Sequence, residues 1–308
     1  MQKAGWSTIY WRKSDLKICQ STIYLQPTAT LYDWKLSCAR RRVRGKLLAG
    51  NMNCGDRMCP WDAGRELMCT VSFIPNSQGF YIGMNRDESV RRVTANSPEV
   101  SYRDGHALLY PAEPSGGTWI GVNDTGICLA LINWHAVSSH PEKPVVSRGT
   151  VVKTLIMSQS SDQLFPAIER LPLRRMPPFR LIAILLLERA VHELRWNQIE
   201  ISQQRYEWKA RHWFSSGFDE PAVQEKRAKV CRTAWNQPRA GSLDWLRQLH
   251  ASHSPAPGPF SICMHRKDAA TVCYTEIVLG NGTVLMKYHH GPLCNGSTDF
   301  VERIIPLH

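Results

Sequence analysis

The chain has no run of about 18 consecutive apolar residues, the length a membrane-spanning helix needs. Its longest apolar stretch, Leu181 to Leu187, suits a buried strand. It also lacks an apolar segment near its N-terminus, so no secretory signal is expected. Paired cysteine spacing is absent too: ten cysteines are scattered along 308 residues. In a chain this long without a secretory signal they read as mostly reduced, and the expected location is the cytoplasm. The Asn-x-Ser/Thr sequons at Asn281 and Asn295 then have no glycan to carry. Internal repeats are lacking as well.

Positive charge is not scarce, but it is unevenly placed. The net charge is +12, and seven of those charges fall within residues 1–67, which hold twelve Lys/Arg and five Asp/Glu. The basic signal therefore belongs mainly to the first segment, and nucleic acid is not expected as the partner of the rest. Residues 1–67 mix tryptophans, four cysteines and the run Arg40-Arg41-Arg42-Val43-Arg44, with no sustained helical or strand period. They read as a disordered extension or as sequence upstream of a misplaced translation start. Residues 68–308 read as the domain proper. Apolar residues make up 43% of the chain, enough for a sizeable core.

Past Met68 the text becomes orderly. Thr70–Ile74 and Phe80–Gly83 read as strands about a turn. Trp119–Val122 and Ile127–Ile132 flank the turn Asn123-Asp124-Thr125-Gly126. Gly149–Gln159 and Ser161–Arg170 read as helices, and Phe179–Leu187 and Ala190–Trp196 as paired strands. Asp219–Trp235 reads as an amphipathic helix, and Ser242 as the N-cap of a short helix through Leu249. Ser261–Met264, Thr271–Leu279 and Val284–Tyr288 close the chain as strands, the last two joined at Asn281-Gly282. Strands, helices, strands, helices, strands in that order predict an α+β fold with antiparallel sheets inside and helices outside.

The chemistry concentrates at Met68-Cys69. If the chain is cut or begun there, Cys69 has a free α-amine with a reference pKa of roughly 7.7–8.0. That amine can take the thiol proton, so one residue holds both nucleophile and base. Asn85-Arg86-Asp87-Glu88 follows on the neighbouring expected strand. There a carboxylate can orient the amine, and an arginine can steady a thiolate or bind an anion. Gly116-Gly117 ahead of Trp119 is either a flexible turn or a close backbone approach to a ligand with Trp119 as a wall. Cys263 and His265 would share one face of a strand, too few for a zinc site without two further ligands, so no metal site is expected. Haem ligation by either residue is chemically possible but unspecified by spacing. Cys54 and Cys59 alone make no metal site.

Met68-Cys69-Thr70-Val71, Asn85-Arg86-Asp87-Glu88, Gly116-Gly117-Thr118-Trp119-Ile120-Gly121-Val122-Asn123 and Leu131-Ile132-Asn133 together resemble the NRDE family, that of the transport and Golgi organisation 2 protein. Ser147-Arg148-Gly149, Ser215-Ser216-Gly217 and Cys263-Met264-His265-Arg266 agree with it. More distantly the blocks are similar to cysteine N-terminal-nucleophile hydrolases of the penicillin V acylase and bile salt hydrolase kind. The resemblance implies an αββα four-layer sandwich and hydrolysis of a non-peptide C–N amide bond in a small molecule, with no cofactor. It implies Cys69 as nucleophile, Asp87 as the residue orienting its amine, and Asn133 as oxyanion donor. Arg86 stands two positions later than the arginine of the hydrolase motif. Substrate contacts would come from Asn85, Gly117 and Trp119. Ser215 or Ser216 could stand for a second oxyanion donor, and Arg227 for a late arginine. The same family also implies a rival reading, a non-catalytic carrier of haem or lipid.

Overall fold

The computed structural model describes residues 68–308, so the expectations for residues 1–67, including Cys54 and Cys59, lie outside it. Thirteen strands and four α-helices follow the expected alternation. Six strands come first: β1 (Met68–Pro75), β2 (Phe80–Ser89), β3 (Asn96–Arg103), β4 (His106–Ala112), β5 (Ile120–Asn123) and β6 (Ile127–Asn133). Two helices follow, α1 (Gly149–Leu155) and α2 (Ser161–Glu169). Next come β7 (Phe179–Leu185), β8 (Ala190–Trp196), β9 (Ile201–Tyr206) and β10 (Arg211–Ser215), then α3 (Glu220–Ala234) and α4 (Leu243–His250). β11 (Ala269–Gly280), β12 (Thr283–His290) and β13 (Phe300–Pro306) complete the order. The result is a sheet-rich α+β fold.

The strands form two antiparallel sheets. One runs β10-β1-β2-β11-β12-β13, the other β3-β4-β5-β6-β7-β8-β9. Period-two alternation shows how both are buried. Cys128, Ala130 and Ile132 of β6 join Val71, Phe73, Ile82 and Met84 of the first sheet in one cluster. The alternate residues Ile127, Leu129 and Leu131 pack instead with Val151, Val152 and Leu155 of α1 and Leu164 and Ile168 of α2. A third cluster joins Ile74 and Phe214 to Cys231 of α3 and Trp245, Leu246 and Leu249 of α4. A strand with both faces apolar reads as a continuous hydrophobic run, which is why β6 and β7 were legible.

Local signals held where they had a steric cause. Asn281 (φ 54°) and Gly282 (φ 72°) turn β11 into β12 in the left-handed conformations such a hairpin requires. Ser242 Oγ accepts from the Trp245 N–H at 3.2 Å, capping α4. Asp219 does the same for Ala222 on α3. Helix α1 ends sooner than Gln159 because Asn123 Nδ2 donates to the carbonyls of Ile156 (2.9 Å) and Ser158 (2.8 Å), drawing the chain out of the helix. Residues 261–264 are not a strand: the Cys263 N–H goes to Ser252 O, and Ser261 Oγ bonds locally to Cys263 O. Of β3, β4, β9, β10 and β13, none of which was expected, β9 is largely exposed and carries no apolar alternation.

Candidate active site

β1 lies between β10 and β2, with Cys69 opposite Ser215 on one side and Arg86 on the other. β2 does not stop before the charged cluster; it runs through it to Ser89, so all four of Asn85, Arg86, Asp87 and Glu88 are buried. Alternation then divides them. Arg86 and Glu88 turn to the side on which Cys69, Val71 and Met84 meet the second sheet. Asn85 and Asp87 turn to the helices.

A cavity of ≈ 110 Å³ opens between the sheets, walled by Cys69, Arg86, Asp87, Trp119, Asn133 and Arg148, among others. The structure thus brings Cys69, Arg86, Asp87, Trp119 and Asn133 together from four stretches of sequence. Trp119 stacks under the Arg86 guanidinium, 4.4 Å from ring centroid to Cζ. Its indole Nε1 is buried without a hydrogen-bond partner. Asn133, 8% exposed at the end of β6, lines the cavity, and no described group hydrogen-bonds its amide.

Four charged groups border the cavity as a closed ring. Arg86 Nη2 reaches Glu88 Oε2 (3.0 Å) and Glu113 Oε1 (2.5 Å), while Arg92 reaches Glu88 Oε2 (2.8 Å) and Glu113 Oε2 (2.7 Å). Both carboxylates are shared between the same two guanidiniums, so Arg86 is held rigidly. Arg148 is different. It donates to Pro178 O at 3.0 Å and makes no ion pair with a described carboxylate. Burial lowers its pKa to about 10.

The Asp87 carboxylate faces α3. Thr271 Oγ1 donates to its Oδ1 at 2.6 Å, and Arg227 Nη2 lies 3.4 Å from Oδ2, both members of that ion pair fully buried. Burial pushes Asp87 up to about 6, against the pull of Arg227 and Thr271. Arg227, which sequence placed only loosely, therefore belongs with Asp87; it also donates to Thr70 Oγ1 at 2.8 Å. The Cys69 N–H donates to Ser215 Oγ at 3.1 Å. Ser216 Oγ lies 2.8 Å from the sulfur of fully buried Met68. Burial and the nearby Asp87 carboxylate push the Cys69 thiol up to about 12; the Asp87 backbone N–H and Arg86 pull it down by less. With Met68 attached, the thiol is protonated at neutral pH.

Two expected substrate contacts are placed elsewhere. Asn85 points away from the cavity and donates through Nδ2 to His250 O and Ile262 O, both at 2.9 Å, which ties β2 to α4. Gly117 does approach backbone closely, but that backbone is Gly149. A Cβ on Gly149 would lie 2.9 Å from Gly117 Cα, and one on Gly117 3.1 Å from Gly149 Cα. Thr118 N–H donates to Gly149 O at 2.9 Å. Gly116 (φ 86°) makes the preceding turn. The two glycine blocks thus press Arg148 and the start of α1 against Trp119. In the sequence Arg148 is marked only by its adjacency to Gly149. Cys263 and His265 line no part of this cavity.

The family model described as Transport and Golgi organisation 2 matches residues 68–233, more than half of the chain, and the chain belongs to that family. No curated protein matches it. Solved structures similar to it include a point mutant of conjugated bile acid hydrolase from Clostridium perfringens, with 10% identity, 77% of this chain and 92% of that chain covered, and a TM-score of 0.42. Penicillin V acylase from Agrobacterium tumefaciens is similar at 10% identity over 78% of this chain and 86% of that one, with a TM-score of 0.44.

Proposed function

We propose that this member of the Transport and Golgi organisation 2 family is a cysteine N-terminal-nucleophile amidohydrolase, active on non-peptide C–N bonds once Cys69 carries a free α-amine. The observation that carries the reading is the convergence of Cys69, Asn133 and Arg86 on one cavity beside the Asp87–Arg227 pair. The two sheets sharing one core, each with helices against its other face, support reading the layers as αββα.

Loss of Met68 turns a backbone amide into an amine and vacates the space of a fully buried side chain beside it. The amine takes the Cys69 thiol proton, and the thiolate attacks the substrate carbonyl carbon. Asn133 Nδ2 donates to the oxyanion, a contact its unbonded amide can make without breaking another. The ammonium returns its proton to the departing amine, leaving a thioester. Water, deprotonated by the same amine, then displaces the thiolate and releases the acid. Ser215 Oγ, now an acceptor for the Cys69 N–H, orients the amine rather than the oxyanion. Asp87 reinforces that orientation from the neighbouring strand. At ≈ 110 Å³ the cavity is smaller than the roughly 300–1,000 Å³ that encloses drug-sized ligands. A short acyl group suits it better than an enclosed haem or long lipid.

Intact-mass measurement of the native protein, paired with an electrophilic acyl probe, tests the proposal. A species beginning at Cys69 should be labelled on Cys69, and the Cys69→Ala variant should not. A folded protein with a free Cys69 amine that takes no label would overturn the reading.

A further inference from the structure

We propose that His253, Cys263, His265 and Cys294 form a closed site for one zinc-class transition-metal ion, outside the cavity that holds Cys69. Each offers one ligand atom, and the four lie within 4.8 Å of one another. Cys263 Sγ is 3.6 Å from His265 Nε2, and that nitrogen is 3.2 Å from Cys294 Sγ. Zinc bonds of about 2.0–2.3 Å in a tetrahedron set neighbouring ligand atoms about 3.3–3.8 Å apart, so these two pairs already stand at or near that spacing and no pair exceeds it by more than about 1 Å.

Three segments supply the donors. His253 follows α4, Cys263 and His265 lie just before β11, and Cys294 sits in the short 3-10 turn Leu293–Asn295 after β12. Backbone bonds hold them together without help from the side chains. Cys263 N–H donates to Ser252 O at 3.0 Å, which sets His253 beside Cys263, and Gly291 N–H donates to Val272 O at 2.9 Å. A second observation points to a ligand: His253 Nε2 is shut off from water and has no hydrogen-bond partner. A buried unsatisfied nitrogen costs roughly 1–3 kcal/mol, and a coordinate bond at its lone pair removes that penalty.

Two sulfurs and two imidazoles in a compact tetrahedral set select zinc over magnesium or calcium, which take oxygen ligands. Four protein ligands leave no open position, so the site is structural. Convergence on one point also argues against haem, whose iron takes at most one protein ligand on each face of the ring, whereas here four donors surround one point. The sequence expectation of no metal followed from the spacing: nine, one and 28 residues separate the four donors, unlike any compact finger pattern.

The ion would act on the active site by position. Met264, between two ligands, donates its N–H to Thr271 Oγ1 at 2.9 Å, and that hydroxyl donates to Asp87 Oδ1. Fixing residues 263–265 therefore fixes the hydroxyl that aims Asp87.

The full-length chain, reduced and stripped with chelator, is to be titrated with Co²⁺ and then Zn²⁺. One equivalent of Co²⁺ should give thiolate-to-cobalt charge transfer and intense tetrahedral d–d bands, which one equivalent of Zn²⁺ abolishes. Cys263→Ser with Cys294→Ser should weaken binding more than the roughly 10–100-fold typical of changes behind the ligands. Cys294→His keeps four ligands but one thiolate, so stoichiometry should hold while charge transfer falls by about half. Cys54→Ser with Cys59→Ser should change nothing. Three results would overturn the site: no saturable tetrahedral spectrum, a spectrum indifferent to Cys263 and Cys294, or a Cys263–Cys294 disulfide that binds no cobalt once reduced.

Discussion

The two faces of β1 and β2 differ in what their buried polar groups meet: on the helix face they bond to α3, α4 and β11, whereas on the cavity face Arg86 and Glu88 pair with Arg92 and Glu113 beside a cavity shared with Asn133, Trp119 and Arg148. On the helix side, partners are found for nearly all the buried polar groups. Ser72 Oγ sits between His250 Nε2 (2.9 Å) and His212 Nδ1 (2.8 Å), Thr70 takes a bond from Arg227, and Asn85 and Asp87 are likewise engaged. Burial holds His250 down to about 3 and His212 to about 4, so both are neutral at pH 7. On the cavity side Trp119 Nε1 is buried without a partner among the described residues, no described residue hydrogen-bonds the Asn133 amide, and Arg148 makes no ion pair with a described carboxylate. Buried polar groups left unpaired are costly; Arg227 Nε on the helix face is one as well, but Trp119 and Asn133 border a cavity that a ligand can fill. Under the proposed function the helix face is structural and the cavity face receives the substrate's polar groups.

Changing Cys69 should separate the two faces most sharply. Cys69→Ala is expected to lower turnover by about 10⁴-fold or more, as loss of a nucleophile does in other hydrolases. Stability should change by only about 1 kcal/mol, since a small side chain is exchanged for a smaller one. Turnover with matched model amides, beside a denaturant titration, checks both halves. A large loss of stability with unchanged turnover would reverse the assignment of the faces.

Arg227→Met is the reciprocal test on the helix face. Removing one partner of a fully buried pair is expected to destabilise by about 3–5 kcal/mol. The sign with pH follows from Asp87. Its folded pKa of about 6 lies above the ordinary 3.8, so the folded state holds the proton more tightly and this group's contribution worsens as pH rises through that window. At pH 5 Asp87 is mostly neutral in the folded state and needs Arg227 less. The melting-temperature gap between wild type and variant should therefore be smaller at pH 5 than at pH 8. An equal gap at both values would show that Arg227 acts through Thr70 and packing instead.

How far the sequence foretold these faces depends on the range of each signal. Hairpins at Asn123–Gly126 and Asn281-Gly282 were readable because positive φ restricts residue choice locally. The same cue at Asp104-Gly105, between β3 and β4, passed unread because β3 is half exposed and lacks a clear apolar stripe. Met68-Cys69 and the Asn85–Glu88 cluster marked the right region. Which of the four charged-cluster residues faces which way waited on β2 continuing to Ser89, since a one-residue change of register would swap the faces. The Asp87–Arg227 pair spans 140 residues and the metal-site donors come from three segments, so only the tertiary fold could bring either together.

Asn133→Ala probes the cavity face without touching its charges. Loss of one oxyanion donor typically lowers kcat by about 10²–10³-fold, equivalent to roughly 2.7–4 kcal/mol. KM and melting temperature should hardly move, because the amide supports no other described group. A fall in stability with unchanged kcat would place Asn133 among the structural residues.

Arg148→Ala should have the smallest effect and the most specific one. Its guanidinium is held at the cavity wall by the Gly117–Gly149 contact and one bond to Pro178 O; Glu88 acts on it across the cavity, but no described carboxylate is in ion-pair contact with it. A charge kept this way is suited to an anionic group on the substrate, away from the bond that breaks. Its interaction is then the same in ground and transition states, so its loss raises KM and leaves kcat unchanged. For an acyl substrate bearing a carboxylate, KM should rise by about tenfold, or 1.4 kcal/mol. For the neutral amide or ester of that carboxylate it should not change. Arg148→Lys should restore part of the difference, since it returns the charge without the fork. An equal effect on charged and neutral substrates would mean that Arg148 only props the start of α1, and that the cavity face recognises no anion.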